Sequence, residues 1–256
     1  MPKQLARRWL QARKDVDNLS PALLVFDTLL ERIQSGRGMV FYPAQQRVVM
    51  ETHHWGLDLG PVSDILYFEF QVDARPQLFY TAPRLIHVST LATMEEDSYK
   101  KVVLRTVQRY RREILHELTH HLDYHRAKGG DPHAPAKMGT PEYYNSPSEM
   151  NAYFQQGAST LTAEYVKIQK DLRPLDPDDP DHQVAVFGLS DLADHTFKTF
   201  FDAWVMTVPK FWDALTLQNK RRVSKRVFDL YTQIVLGARR QLKELRAKGD
   251  PMAITL

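Results

Sequence analysis

Five residues constrain this chain more than any others: His116-Glu117-Leu118-Thr119-His120, an HExxH motif. Two histidines four positions apart lie on one side of a helix, about 6 Å apart along its axis, so both imidazoles can turn towards a single ion. A fold that uses them must keep that side of the helix out of the core and bring a further donor up to it from elsewhere. Glu117 falls beside the pair, where its carboxylate can reach a water held by the ion. The flanking sequence has the matching phase. At about 100° per residue, Val103, Val107, Tyr110, Ile114 and Leu118 form the apolar stripe of one long helix, started by Asp97 or Ser98 and ended by Gly129 and Gly130. Arg109, Arg112, His116, His120 and Asp123 fall on the opposite side.

The chain contains no cysteine. That removes disulfides, thiol nucleophiles and thiolate zinc sites, and leaves His, Asp and Glu as the strong metal ligands. An open catalytic Zn²⁺ site needs a third protein donor. The compact pattern HExxHxxGxxH is excluded, because Asp123 stands where Gly is required, Arg126 stands where His is required, and His125 is one residue out of register. Asp123 lies about 10.5 Å along the helix from His116, too far to share its ion, and suits an acceptor that orients the His120 ring. The candidates left are His133, Glu142 and Glu149. Glu149 is favoured, since it opens a helix that can return antiparallel to the HExxH helix; Ser146-Pro147-Ser148-Glu149 also fits a capping box, in which the same carboxylate would serve the helix terminus.

Around this motif the chain reads as α+β. Ser20 and Pro21 open a core helix, PALLVFDTLLERIQSG, that stops at Gly36. Between Met39 and Ser89, five short runs rich in β-branched and aromatic residues predict three to five strands of one small mixed sheet. In LYFEFQV, Tyr67, Glu69 and Gln71 take one face while Phe68, Phe70 and Val72 take the other. After the loop GGDPHAPAKMGTPEYYNSP a second helix begins near Ser146, and the connector DLRPLDPDDPD leads to a mainly helical C-terminal region. The expected division is a metal-binding domain over 1–160 and a helical region over 161–256, possible also as one continuous domain.

A strand-rich N-terminal half, an edge-strand-like RLIHVS, the helix HELTHHLDYH and a downstream Glu149-x-x-Ala152 together resemble the zincin metallopeptidases of the gluzincin type. The segment around Glu149 to Phe154 is also similar to the ImmA/IrrE group. The resemblance covers about residues 80 to 160, and departs from the gluzincin pattern at Tyr153, which stands where that pattern has Asp. It implies a zincin-like fold and a zinc-dependent peptidase acting on a peptide or protein substrate. In that scheme His116, His120 and Glu149 hold Zn²⁺, Glu117 is the general base, and an oxyanion stabiliser comes from Tyr143, Tyr144, Tyr153, His182 or His195. Arg109 and Arg112 could receive an acidic group of the substrate.

Two other readings stay open. One is a zincin-fold binding or structural protein of a larger assembly, for which the aromatics of FKTFFDAWVMTVPKFWDAL would form an interface rather than a core. The other is a protease associated with nucleic acid. The net charge is only +3, so the chain as a whole is not of the strongly basic type. From Thr216 to Lys248, however, ten Lys and Arg face two Asp and Glu, while Asp171 to His195 carries seven Asp against one Arg. The two charged parts could pair with each other. No apolar stretch approaches the roughly 18 residues that span a bilayer, and the N-terminus lacks the apolar segment of a secretory signal, which leads to the expectation of a cytoplasmic protein.

Overall fold

The computed structural model describes residues 21–53, 65–73, 75, 77–81, 84–90, 92–126, 139–172 and 179–255. They divide into two units, one over 20–156 and one over 157–256. Together they form an α+β protein with one five-stranded mixed sheet among the described residues.

In the first unit, helix α1 (Pro21–Ser35) starts on a proline, whose missing N–H costs nothing at a helix start. It ends at Gly36, whose φ of 68° puts the chain in the left-handed region that glycine adopts freely. The sheet comprises β1 (Met39–Tyr42), β2 (Arg47–His53), β3 (Ile65–Val72), β4 (Leu78–Thr81) and β5 (Leu85–Thr90), in the spatial order β1-β2-β3-β5-β4. All neighbours are antiparallel except β3 and β5. The alternation read in β3 has a clear outcome: Leu66, Phe68 and Phe70 are buried while Tyr67, Glu69 and Gln71 are only partly so. Val48, Met50, Ile86 and Val88 join the buried face, which packs with Phe26, Leu29 and Ile33 of α1.

RLIHVS does not supply the edge strand. All of it but Arg84 lies in β5, which is paired on both sides, and the edge on this side of the sheet is β4 from the preceding run QLFYTA. The burial follows: β5 is buried at five consecutive positions, as an interior strand is, whereas β4 alternates.

The predicted long helix is two helices. Tyr110, at φ −99° and ψ 26°, separates α2 (Tyr99–Arg109) from α3 (Arg111–Arg126). The hydrogen-bond ladder nearly persists across the step, since the Tyr110 amide donates to Thr106 and its carbonyl accepts from Ile114. Val103, Val107, Ile114 and Leu118 are all fully buried, so the apolar stripe holds across the break, and α3 packs against α1. There the Arg111 guanidinium lies 5.5 Å from the centre of the Phe26 ring. A short helix, α4 (Pro141–Tyr144), and the start of α5 (Pro147–Asp171) complete this unit.

The second unit holds the rest of α5, then α6 (Pro180–Asp194), α7 (Phe197–Thr207), α8 (Pro209–Ala214), α9 (Leu217–Ala247) and α10 (Pro251–Thr255). Thr196 and Thr216 cap α7 and α9, each hydroxyl accepting the amide three residues on. Within this unit the aromatics of FKTFFDAWVMTVPKFWDAL build core: Phe200, Trp204 and Phe211 are buried, and Trp204 meets Phe211 and Trp212 edge-on. Gly157 permits this packing, because a Cβ there would lie 2.5 Å from Trp204 Nε1. No helix among the described residues is long and apolar enough to cross a membrane.

Candidate metal centre

Helix α3 carries His116 and His120 on successive turns, both buried, with their Nε2 atoms 3.0 Å apart. Glu149, in the first turn of α5, is 4% exposed and bridges them. Its Oε2 lies 3.2 Å from His116 Nε2 and its Oε1 lies 3.3 Å from His120 Nε2. Donors arranged tetrahedrally at about 2.0–2.1 Å from an ion stand about 3.3 Å from each other. The observed spacings match that figure to within a few tenths of an ångström, so the three residues form a buried group that could hold a metal ion.

The local sequence explains why Glu149 is free for this task. Ser146 Oγ accepts the Glu149 amide at 3.4 Å, which is half of a capping box. The reciprocal half is not made: the Ser146 amide donates instead to the Tyr143 carbonyl, and the Glu149 carboxylate turns to the histidines. Burial pushes the Glu149 carboxyl up, but hydrogen bonds from His116 and His120 outweigh it and hold the group at about 2. The Tyr143 hydroxyl also bonds this carboxylate.

Glu117 lies on the flank of the same helix, turned towards the sheet. Its Oε2 accepts the Tyr80 amide of edge strand β4 at 2.9 Å. Burial, aided by the negative charge of Glu149, raises its carboxyl to about 7 against the opposing pull of His120 and the Tyr80 amide. Tyr80 does a second thing: its hydroxyl lies 3.3 Å from Nδ1 of His121, whose side chain is fully buried. Neither Tyr80 nor His121 stands out in the motif. The signal was the helical phase, since His121 lies about 140° round the helix from His116, beside Ile114 and facing the core.

Three tyrosines surround the cluster. The Tyr153 ring packs edge-on to His116 at 4.4 Å and lies 5.4 Å from Tyr144, which in turn meets Tyr143. The Tyr153 hydroxyl bonds Tyr144, and burial raises the phenols of both Tyr143 and Tyr153. Asp123 is bound to Asn151, whose Nδ2 donates to its carboxylate at 2.7 Å, tying α3 to α5 two residues past Glu149.

Other sequence candidates fall elsewhere. Glu142 is exposed, apart from the metal-competent group, and His133 lies outside the described residues. Arg109 and Arg112 are exposed, and the break at Tyr110 takes Arg109 off the helix that bears the histidines. His182 and His195 belong to the second unit. His182 is buried there against Asp250, 2.7 Å away, and the His195 carbonyl accepts the Tyr231 hydroxyl. Comparison of the chain with protein-family models, curated proteins and solved structures found no match.

Proposed function

We propose that the chain is a zinc-dependent metallopeptidase of zincin type. The observation that carries this reading is the pairing of a buried His116–His120–Glu149 group with a carboxylate of tuned basicity, Glu117, one residue from the first ligand. Two histidines and one carboxylate also suit iron(II) oxygen chemistry. That chemistry has no need of a neighbouring general base raised to about 7, whereas hydrolysis at neutral pH does.

His116, His120 and Glu149 would hold the zinc, which would supply the Lewis acidity to acidify a water and polarise a carbonyl. Glu117 takes a proton from the attacking water and delivers it to the leaving amine. Tyr143 is committed to the Glu149 carboxylate, so the donor for the developing oxyanion comes from the Tyr144–Tyr153 pair, whose raised phenol keeps its proton at neutral pH. The substrate is an extended peptide laid along β4, an edge of the sheet whose Tyr80 amide already points away from β5 towards Glu117.

The test is metal analysis of the purified protein combined with a peptide-library cleavage assay. About one zinc per chain is expected. Glu117→Gln is expected to retain the metal and lose cleavage; full activity in that variant would remove Glu117 from the mechanism.

A further inference from the structure

Helix α9 presents two faces of opposite character. Val223, Val227, Leu230, Ile234 and Ala238 are buried along one side. At about 100° per residue, Arg221, Lys225, Arg239, Lys243 and Arg246 fall within an arc of about 60° on the other side. All five are exposed. Arg221, Lys225, Arg240 and Lys243 make no ion pair among the described residues. Among the described residues α6 packs along α9 without an ion pair to these cations: Asp191 and Asp194 are exposed, the one ion pair of α6 is His182 with Asp250, and Asp176 and Asp178 of the acidic connector lie outside the described residues.

At the C-terminal end of this face the cations are fixed rather than loose. Arg239 Nε donates to the Ala193 carbonyl at 2.8 Å, and Arg246 Nε donates to the Ala253 carbonyl at 2.7 Å. Both line a cavity of about 180 Å³ with Ser190, Ala193, Asp194 and Leu242. Anchoring through Nε leaves the two Nη groups of each guanidinium for an outside acceptor, the geometry that matches a phosphate. The N-terminal cluster, Arg221 and Lys225, lies about 27 Å away along the same face.

We propose that the solvent face of α9 is a nucleic-acid-binding surface that holds the phosphate backbone at these two clusters. Guanidiniums predominate over ammonium groups, which favours phosphodiesters as acceptors. A helix that lies on a lipid surface must offer its own apolar side to the membrane, and the apolar side of α9 is spent on the core. The middle of the face carries Phe228, Thr232 and Leu236, with Asp229 as its one acid. No base-reading arrangement accompanies the cations, so the binding is to backbone and independent of sequence.

The test is fluorescence anisotropy of a labelled duplex DNA with the full-length protein across a KCl series. Binding is expected to weaken steeply with salt, with a log–log slope of about −4.5 for five phosphate contacts. Arg221→Gln/Lys225→Gln touches no side-chain hydrogen bond among the described residues and should reduce that slope by about 1.8, as should Arg239→Gln/Arg246→Gln if circular dichroism shows it folded. Lys198→Gln, a lysine paired with Asp202 on α7, should leave it unchanged. Absence of binding at low salt, a slope indifferent to Arg221→Gln/Lys225→Gln, or tighter binding to phosphatidylserine vesicles than to DNA would overturn the proposal. Because the assay needs no metal, it stands apart from the peptidase reading.

Discussion

At the scale of single residues, the two carboxylates of the centre are driven in opposite directions by one environment. Glu149 has bonding partners that favour its anion; Glu117 is buried with less compensation beside that anion. This has a measurable consequence for the metal-free protein. A carboxyl raised from 4.5 to about 7 costs stability as pH rises through that interval, because the unfolded chain ionises first. The metal-free wild type should therefore lose up to about 3 kcal/mol between pH 4.5 and 8 relative to Glu117→Gln, read as diverging melting temperatures. Glu149 gives the opposite sign: its lowered pKa contributes stability above about 4.5 that is lost as pH falls towards about 2. Glu149→Ala should release the metal without unfolding the chain, checked by metal content and circular dichroism. Tyr143→Phe, which removes one bond to the ligand carboxylate, should weaken metal affinity about 10-fold or more in a competition titration.

At the scale of elements, β4 and α3 act together, because Tyr80 joins them through its amide to Glu117 and through its hydroxyl to His121. Proline is tolerated in an edge strand where its nitrogen faces away from the ladder. Tyr80→Pro should thus preserve the sheet yet leave Glu117 misoriented, while Tyr80→Phe keeps the amide; cleavage rates of the two variants should differ by about 10-fold or more. Much at this scale was legible in the sequence. The spacing of His116 and His120, the alternation in β3 and the capping serine before Glu149 each follow from a local period, and local periods survive folding. The edge position of β4 and the step at Tyr110 do not follow, because both depend on which distant segment packs against the element. The role of Tyr143 was hidden for the same reason: it rests on a contact between two helices that share no period.

At the scale of the whole molecule, a net charge of +3 conceals a helix with a strongly cationic face whose charges are not consumed by ion pairs along α6. The second unit is held by an aliphatic cluster that includes Val186, Leu189 and Leu242 and by the aromatic packing around Trp204, against which Gly157 lies closely. Gly157→Ala would drive a methyl into Trp204 and should cost about 1–3 kcal/mol, measured as a shift in the urea midpoint. Chelation, in contrast, should lower the melting temperature through the first unit, since ligands that bind only the folded form stabilise it by mass action.

The half-made capping box at Ser146 bears on how fast the centre fills. The turn from Tyr143 to Glu149 satisfies its own backbone, with the Ser146 amide on Tyr143 and the Glu149 amide on the Ser146 hydroxyl. Glu149 is therefore positioned by its own turn, so on the metallopeptidase reading little chain would have to be ordered when an ion binds. Uptake should be a single fast phase in stopped flow, with a heat-capacity change near zero by calorimetry, unlike domains that fold around their metal.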